Sequence, residues 1–156
     1  MYNATVITDF RHSVEQGSRL IGVDYGSKKI GLSLSDRGKI IASPYKTLIR
    51  KNLKFDIKCI CDIIDENSVS GIVFGYPIEA RGTVGEACAA VDKFCKELIS
   101  KKPLPYYLQD ERLSTSAVRQ ILGHTNMSRA KKDKVDDKMA ACYILQIVLD
   151  IMNTNN

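Results

Sequence analysis

The chain reads Leu20-Ile21-Gly22-Val23-Asp24-Tyr25-Gly26-Ser27 where a short apolar run ends in an acid and a glycine turn. The apolar run predicts a buried strand over residues 19–24, which places Asp24 where the strand meets the turn. A lone carboxylate at a buried strand edge is unfavourable unless something binds it. Gly22 and Gly26 remove side chains on either side of the acid, so a backbone or a phosphate can approach closely. Asp24 is therefore a candidate for binding a ligand, and the alternative is a turn aspartate that caps Gly26.

The segments around this run alternate or recur with the periods of strands and helices. Residues 30–35 and 40–49 predict two further strands, the second interrupted near Pro44, which form an antiparallel meander with the first. Strands are also predicted over 71–75 and 105–110, and helices over 53–67, 84–98, 114–122 and 135–149. The order β-β-β-α-β-α-β-α-α predicts an α/β fold with a mixed five-stranded sheet, three antiparallel strands then two parallel ones, flanked by helices. The polar, basic segment 124–134 is expected to be mobile.

Length and composition are those of one ordinary globular domain. The 156 residues are 44% hydrophobic and 26% charged, which is enough to bury a core. We predict a single domain over 19–152, preceded by a loosely attached extension over 1–18 that lacks the features of a secretory signal. No apolar stretch reaches the ~18 residues that span a bilayer, so we predict a cytoplasmic protein without a membrane partner.

The cysteines and the net charge narrow the function only slightly. The chain has five cysteines and no Cys-x-x-Cys pair, which predicts free thiols in a reducing compartment rather than a disulfide framework or a zinc site. The net charge of +5 and the pI near 8.9 are compatible with a polyanionic partner and are not diagnostic alone.

A second acidic cluster lies at an element junction, as Asp24 does. Strands one, four and five run parallel in the predicted sheet, so Asp110 and Glu111 are expected at the same sheet end as Asp24. Strand alternation puts these two acids on opposite faces, where one binds a metal and the other pairs with Arg112. A solvated acidic pair with a structural ion pair is the alternative.

The last helix supplies the third acidic position. Asp136 shares a helical face with Ala140, Tyr143 and Ile147, and the adjacent Asp137 is expected to point elsewhere. The helix dipole alone also favours an acid in the first turn. Together the three positions offer the hard oxygen ligands that Mg²⁺ or Mn²⁺ requires. Two such ions ~3.5–4 Å apart can activate water and stabilise the leaving oxygen of a phosphodiester, which predicts a metal-dependent nuclease.

The ordered set of motifs resembles the YqgF/RuvX family over about residues 20–150. The motifs are Asp24-x-Gly26, Lys29-Ile30-Gly31, Gly75-x-Pro77 with Gly82-Thr83, Asp110-Glu111-Arg112-Leu113-Ser114-Thr115, Lys134-Val135-Asp136, Ala140-Ala141 and Ile144-Leu145-Gln146. The resemblance implies a ribonuclease H-like fold and a cytoplasmic, bacterial pre-16S rRNA nuclease or Holliday junction resolvase. It implies that metal binding and catalysis fall to Asp24, Glu111 (or Asp110) and Asp136. The chain departs from the family at Tyr76, where leucine is usual, and over 78–80, where asparagine is frequent.

Basic residues flank all the predicted metal ligands, where a phosphate backbone has to lie. Gly82 and Thr83 open a helix whose free N–H groups can hold a phosphate. We predict substrate contacts from Lys28, Lys29, Arg81, Gly82, Thr83, Arg112, Lys131, Lys132 and Lys134. A solvated basic face is the alternative. Tyr76, Tyr106 and Tyr107 offer stacking surfaces for unpaired bases, with core packing as the alternative for the last two.

Other functions fit parts of the sequence. Residues 24–27 resemble the first phosphate loop of actin-like ATPases and sugar kinases, which need a second domain and a second loop. A non-catalytic ribosome- or nucleic-acid-binding protein would keep the acids for structural reasons. A Holliday junction resolvase needs two sites related by a two-fold axis, hence a stable dimer with an apolar patch. Each predicted helix has only the one apolar stripe that the core uses. We therefore predict a monomer or weak homodimer that processes the 5′ end of pre-16S rRNA, with branched DNA as the alternative substrate.

Overall fold

A computed structural model describes residues 6–78, 85–110 and 129–154, and in the last range the side chains from Asp137 onward. The elements in chain order are α1 (Ile7–Ser13), β1 (Arg19–Tyr25), β2 (Lys29–Ser35), β3 (Ala42–Ile49), α2 (Leu53–Glu66), β4 (Val69–Tyr76), α3 (Glu86–Lys101), β5 (Tyr106–Asp110) and α4 (Arg129–Thr154). The helix predicted over 114–122 lies outside the described residues.

The five strands form one sheet in the order β3-β2-β1-β4-β5. β1 pairs antiparallel with β2, and β2 with β3, whereas the β1–β4 and β4–β5 pairs are parallel. This confirms the predicted mixed sheet, in which the carboxyl ends of β1, β4 and β5 share one edge. The interruption near Pro44 is a bulge, since the register shifts where Leu32 faces Lys46 and Ser33 faces Pro44. Proline lacks the N–H that a regular ladder uses, so it is tolerated on this edge strand.

One face of the sheet packs against α2 and α3. Side chains alternate along β1, and Ile21 and Val23 enter this layer fully buried. The apolar residues of α2 recur at helical spacing and are buried: Ile57, Ile60, Ile63 and Ile64. α2 begins after Asn52, whose side-chain oxygen accepts a hydrogen bond from the Phe55 N–H at 2.8 Å.

The other face packs against α4, which approaches the sheet unusually closely. Leu20 of β1 and Leu145 of α4 are both fully buried in this layer. A Cβ on Gly22 would lie 2.7 Å from the carbonyl oxygen of Ala141. Ser33, which faces Gly22 across the ladder, donates a hydrogen bond of 2.8 Å to the same oxygen. The close approach that we expected at Gly22 is therefore made by the backbone of a helix.

The segment before β1 is packed on the sheet, which differs from the loose attachment that we expected. Phe10 of α1 is fully buried in the α4 layer, with its ring centroid 5.9 Å from that of Tyr107. A Cβ on Gly71 would lie 3.2 Å from the Phe10 ring, so the glycine makes room for it. Ser18 forms a buried hydrogen bond with Ser70. Ile7 and Val14 also pack against this layer, so residues 6–18 are attached more firmly than we expected.

α4 begins earlier than the apolar pattern predicts. Its backbone is helical from Arg129, so the helix includes residues 129–134 of the segment that we expected to be mobile. Lysine, arginine and alanine have high helix propensity, which the polarity of this segment alone does not indicate. Residues 124–128 lie outside the described residues.

The described helices and thiols agree with the composition. Over 6–78, 85–110 and 129–154, no helix has both the length and the apolar character needed to cross a membrane. All five cysteines are free thiols: Cys59, Cys61, Cys88, Cys95 and Cys142.

Candidate functional site

Asp24 occupies the penultimate position of β1, at the sheet edge where the parallel strands end. Leu20 packs with α4 and Gly22 touches Ala141, so alternation along β1 directs Asp24 to the α4 side of the sheet. The residue is partly buried, and across the ladder it faces Gly31 of β2. A carboxylate at this end of β1 is therefore adjacent to α4.

The backbone of α4 touches the sheet at the position that faces Asp24. A Cβ added to Gly31 would overlap the carbonyl oxygen of Asp137, so only glycine fits there. Side chains of cross-strand partners lie on the same face of a sheet. The contact at Gly31 thus brings Asp137 to the same side and the same end of the sheet as Asp24.

Of the two adjacent acids in α4, Asp137 lies toward the sheet. The residues that follow it at helical spacing are fully buried: Ala141, Ile144 and Val148. We expected Asp137 to point elsewhere, but its Oδ2 lies 3.9 Å from Nζ of Lys29 at the start of β2. The side chain of Asp136 lies outside the described residues, so its role stays a prediction. On the face predicted for Asp136, Ala140 is buried and Tyr143 is 36% exposed.

Asp110 ends β5 on the opposite face of the sheet from Asp24. It faces Tyr76 across the parallel ladder. Tyr106 and Leu108, which precede it with period two, pack in the α2–α3 layer. The Asp110 side of the strand is therefore the α2–α3 side. Glu111 and Arg112 lie outside the described residues, and their roles stay predictions.

Tyr76 is fully buried, so it offers no surface to an unpaired base, and that prediction was wrong. Its hydroxyl donates a hydrogen bond of 3.0 Å to Oδ2 of Asp92 on α3. Burial, and then this bond to Asp92, raises the pKa of Tyr76 far above its ordinary value. Tyr76 thus ties β4 to α3.

Arg50 holds the glycine turn that follows Asp24, and the sequence interpretation did not identify it. Its Nη1 donates hydrogen bonds of 3.1 Å to the carbonyl oxygens of Gly26 and Ser27. Its guanidinium carbon lies 4.5 Å from the centroid of the Tyr25 ring. Nε lies 3.3 Å from Oδ2 of Asp56, which is only 1% exposed. An aspartate within the apolar stripe of α2 was the signal in the sequence for this buried ion pair.

The remaining predicted contacts divide between described and undescribed residues. Lys28 is exposed on the turn after Asp24, and Lys29 is partly buried beside Asp137. Outside the described side chains lie Arg81, Gly82, Thr83, Lys131, Lys132 and Lys134. Within the described part of the chain, no three His, Cys, Asp or Glu side chains form a group that could hold a metal ion. Glu111 and Asp136 are outside that search, so the predicted three-acid site is not tested by it.

Known proteins match the chain over most of its length. A candidate pre-16S rRNA nuclease of Ehrlichia canis is 38% identical over 146 residues, covering 94% of each chain. One of Rickettsia felis is 44% identical over 133 residues, covering 85% of this chain and 86% of the other. Among solved structures, T. thermophilus RuvC in complex with a Holliday junction substrate superposes with a TM-score of 0.55 at 13% identity, covering 88% of this chain and 97% of that one.

These matches agree with the order and pairing of the strands. The structural likeness to RuvC confirms the predicted ribonuclease H-like fold. The sequence model of the RuvX family, described as Holliday junction resolvase, matches residues 18–151. With Asp24 at the carboxyl end of β1 and α4 docked beside it on two glycines, the chain belongs to the RuvX family.

Proposed function

We propose that this chain is a divalent-metal-dependent nuclease that acts in the cytoplasm on the 5′ end of pre-16S rRNA. The observation that carries the proposal is the contact between α4 and Gly31, which sets an acid of α4 beside Asp24 at the carboxyl end of β1. The candidate nucleases of Ehrlichia canis and Rickettsia felis support the substrate.

The residues proposed to hold the metal are Asp24, Glu111 and one acid of α4. Carboxylate oxygens suit Mg²⁺ and Mn²⁺, and a strand end beside a helix is a place where several can converge. When bound, such an ion supplies an activated water and charge stabilisation at the leaving oxygen. Since Asp110 lies on the α2–α3 side of β5, strand alternation favours Glu111 over Asp110.

The acid of α4 is either Asp136, as the sequence predicts, or Asp137. Three observations favour Asp137: its carbonyl against Gly31, its ion pair with Lys29 and the buried stripe that follows it. In the metal-free protein the positive charge of Lys29 then neutralises the Asp137 carboxylate. When a metal binds Asp137, Lys29 becomes available to contact a phosphate. Lys28, exposed on the same turn, extends this positive charge toward the substrate.

A cleavage assay with matched substrates tests the proposal. Precursor rRNA fragments and four-way DNA junctions are incubated with Mg²⁺, Mn²⁺ or EDTA. We expect cleavage of the precursor with either metal, at least as fast with Mn²⁺, and none in EDTA. Undiminished cleavage in EDTA would refute metal dependence, and binding without any turnover would favour a non-catalytic nucleic-acid-binding protein.

Single substitutions separate the two acids of α4. If Asp137 is the ligand, Asp137→Asn lowers cleavage on the order of a hundredfold or more, and Asp136→Asn leaves it within about twofold. Both changes remove one negative charge, so each controls for the other. The reverse result would assign the role to Asp136, as the family resemblance implies.

Resolution of Holliday junctions is the second candidate. The description of the RuvX family supports it. A resolvase needs two sites related by a two-fold axis and therefore a stable dimer. The exposed large apolar residues of the described chain are divided among β3, α2, α4 and the segments before α1 and β3: Val6, Ile40, Ile41, Tyr45, Ile49, Phe55, Tyr143 and Ile151. Because they are not concentrated on one element, we propose a monomer or a weak homodimer, which sedimentation at micromolar concentration tests.

A further inference from the structure

Two segments that are distant in sequence meet beside the strand end that carries Asp24. The backbone N–H of Arg50 donates a hydrogen bond of 2.9 Å to the carbonyl oxygen of Lys28. Its guanidinium binds the carbonyl oxygens of Gly26 and Ser27 from the other side. Because Arg50 also pairs with Asp56, the first turn of α2 is fixed to the turn that follows Asp24, and the two turns together form a surface.

This surface is positively charged. Lys28, Lys51 and Lys54 are exposed, and none forms an ion pair with another described residue. Asp56, in the first turn of α2, is 1% exposed and paired with Arg50. Asp62, farther along α2, is in an ion pair within the helix. The positive charge of the three lysines is thus not cancelled locally.

The lysines are placed where helix stability does not favour them. The N-terminus of a helix carries a partial positive charge, so cations near the first turn are unfavourable and acids are preferred. Lys51 precedes the Asn52 cap of α2 and Lys54 lies in its first turn. Because the helix dipole opposes cations at these two positions, a negatively charged ligand is a reason that fits their placement.

An exposed aromatic ring lies among these lysines. Phe55 is 39% exposed on the outer side of α2, and Nζ of Lys51 lies 4.4 Å from its ring centroid. The buried side of the helix is occupied by Ile57, Ile60 and Ile64, so the ring is not needed for the core. An exposed aromatic flanked by cations is the pattern that proteins use to stack unpaired bases and hold their phosphates.

We infer that an unpaired strand of the nucleic acid binds one surface as it leaves the site at Asp24. This surface, which we call the α2 surface, consists of Lys28, Lys51, Lys54 and Phe55. The inference deepens the proposed function and rests on it for the nature of the ligand. The lysines contact phosphates, and Phe55 stacks on a base. A base within a duplex has both faces covered, so the α2 surface selects single strands over duplexes.

Fluorescence anisotropy in EDTA tests binding without turnover. The probes are a labelled oligouridine and a labelled RNA duplex of equal length. We expect Phe55→Leu to weaken oligouridine binding on the order of tenfold, with duplex binding unchanged and Phe55→Tyr close to wild type. Lys54→Ala should reduce the slope of log affinity against log salt for the single strand by about 0.7.

Matched variants control for ring and charge. Tyr45 is also 39% exposed but lies on β3 near the far end of α2, where Asn67 contacts its hydroxyl. Lys101 is exposed at the end of α3, away from the carboxyl edge of the sheet. Tyr45→Ala and Lys101→Ala should bind oligouridine as wild type does. Circular dichroism confirms that each variant is folded.

The outcomes separate this inference from the proposed nuclease activity. If oligouridine affinity falls equally in the test and control variants, or does not fall in the Phe55 and Lys54 variants, the inferred role of the α2 surface is refuted even if the protein cleaves RNA. If oligouridine affinity falls only in the Phe55 and Lys54 variants but the protein cleaves nothing with Mn²⁺, the α2 surface is supported and the proposed nuclease activity is refuted.

Discussion

Replacement of Gly31 by alanine tests the contact on which the site depends. The added Cβ would overlap the carbonyl oxygen of Asp137. Both partners belong to backbones held in regular elements, so no side-chain rotation relieves the overlap and α4 has to move away from β2. Overpacking of this kind costs about 3 kcal/mol, at the upper end of its usual range. For a chain of this size that lowers Tm by about 6–12 °C.

The assay is urea unfolding followed by far-UV circular dichroism, with cleavage measured at a temperature where the variant is folded. We expect cleavage to fall more than tenfold, since the displaced helix carries the acid beside Asp24. Gly17→Ala is the control, because its φ of 75° favours glycine but nothing lies within 4 Å of an added Cβ. It should cost about 1 kcal/mol and leave cleavage unchanged. A Gly31→Ala protein with wild-type stability and activity would refute the close packing of α4 on β2.

Three further substitutions and one labelling experiment have defined outcomes. Asp24→Asn should abolish cleavage and leave oligonucleotide binding equal or slightly stronger, since one negative charge near phosphate is removed; substantial remaining turnover would contradict its role as a metal ligand. Phe10→Ala should lower the free energy of unfolding by about 3 kcal/mol or more, measured in urea, whereas a loosely attached extension would show almost no change. A hydrogen bond from the backbone N–H of Ile41 lowers the pKa of Asp36, so this acid stabilises the fold above its ordinary pKa of 3.8 and less as pH falls through the lowered value. Asp36→Asn should therefore reduce stability at neutral pH and flatten its decline in acid. Burial raises the pKa of Cys95 to about 12, so thiol reagents at pH 8 should modify it only after unfolding, and rapid labelling of the folded protein would contradict its burial.

The order of strands and helices was predictable because each element has a periodic pattern within its own stretch of sequence. Strand alternation and helical spacing gave the order of elements, and the crossover rules then left one mixed sheet with β1, β4 and β5 parallel. α1 was missed because the apolar residues that pack there, Ile7, Phe10 and Val14, span only about two turns in an otherwise polar segment. Its binding partner at Gly71 is far away in the sequence.

The choice between Asp136 and Asp137 shows why the site was harder to predict than the fold. The two residues are adjacent, so they differ by about 100° around the helix axis. The rotation of α4 is set by its contacts with Gly22 and Gly31, which no local pattern in the helix reveals. Tyr76 is similar: its burial depends on a hydrogen bond to Asp92 across two elements. Sequence patterns did not predict the roles of residues that depend on contacts between elements.

The docking of α4 also has a consequence for the order of events during protein synthesis. Ser33 and Ala141, whose hydrogen bond fixes α4 over the sheet, are 108 residues apart. A chain emerges from the ribosome with its N-terminus first, so the meander that carries Asp24 is available long before the 26 residues of α4. For most of its synthesis the nascent chain therefore exposes Asp24 without the helix that packs beside it. A chain truncated before α4 would present Asp24 and the apolar face of its sheet to solvent, which makes it both inactive and prone to aggregation.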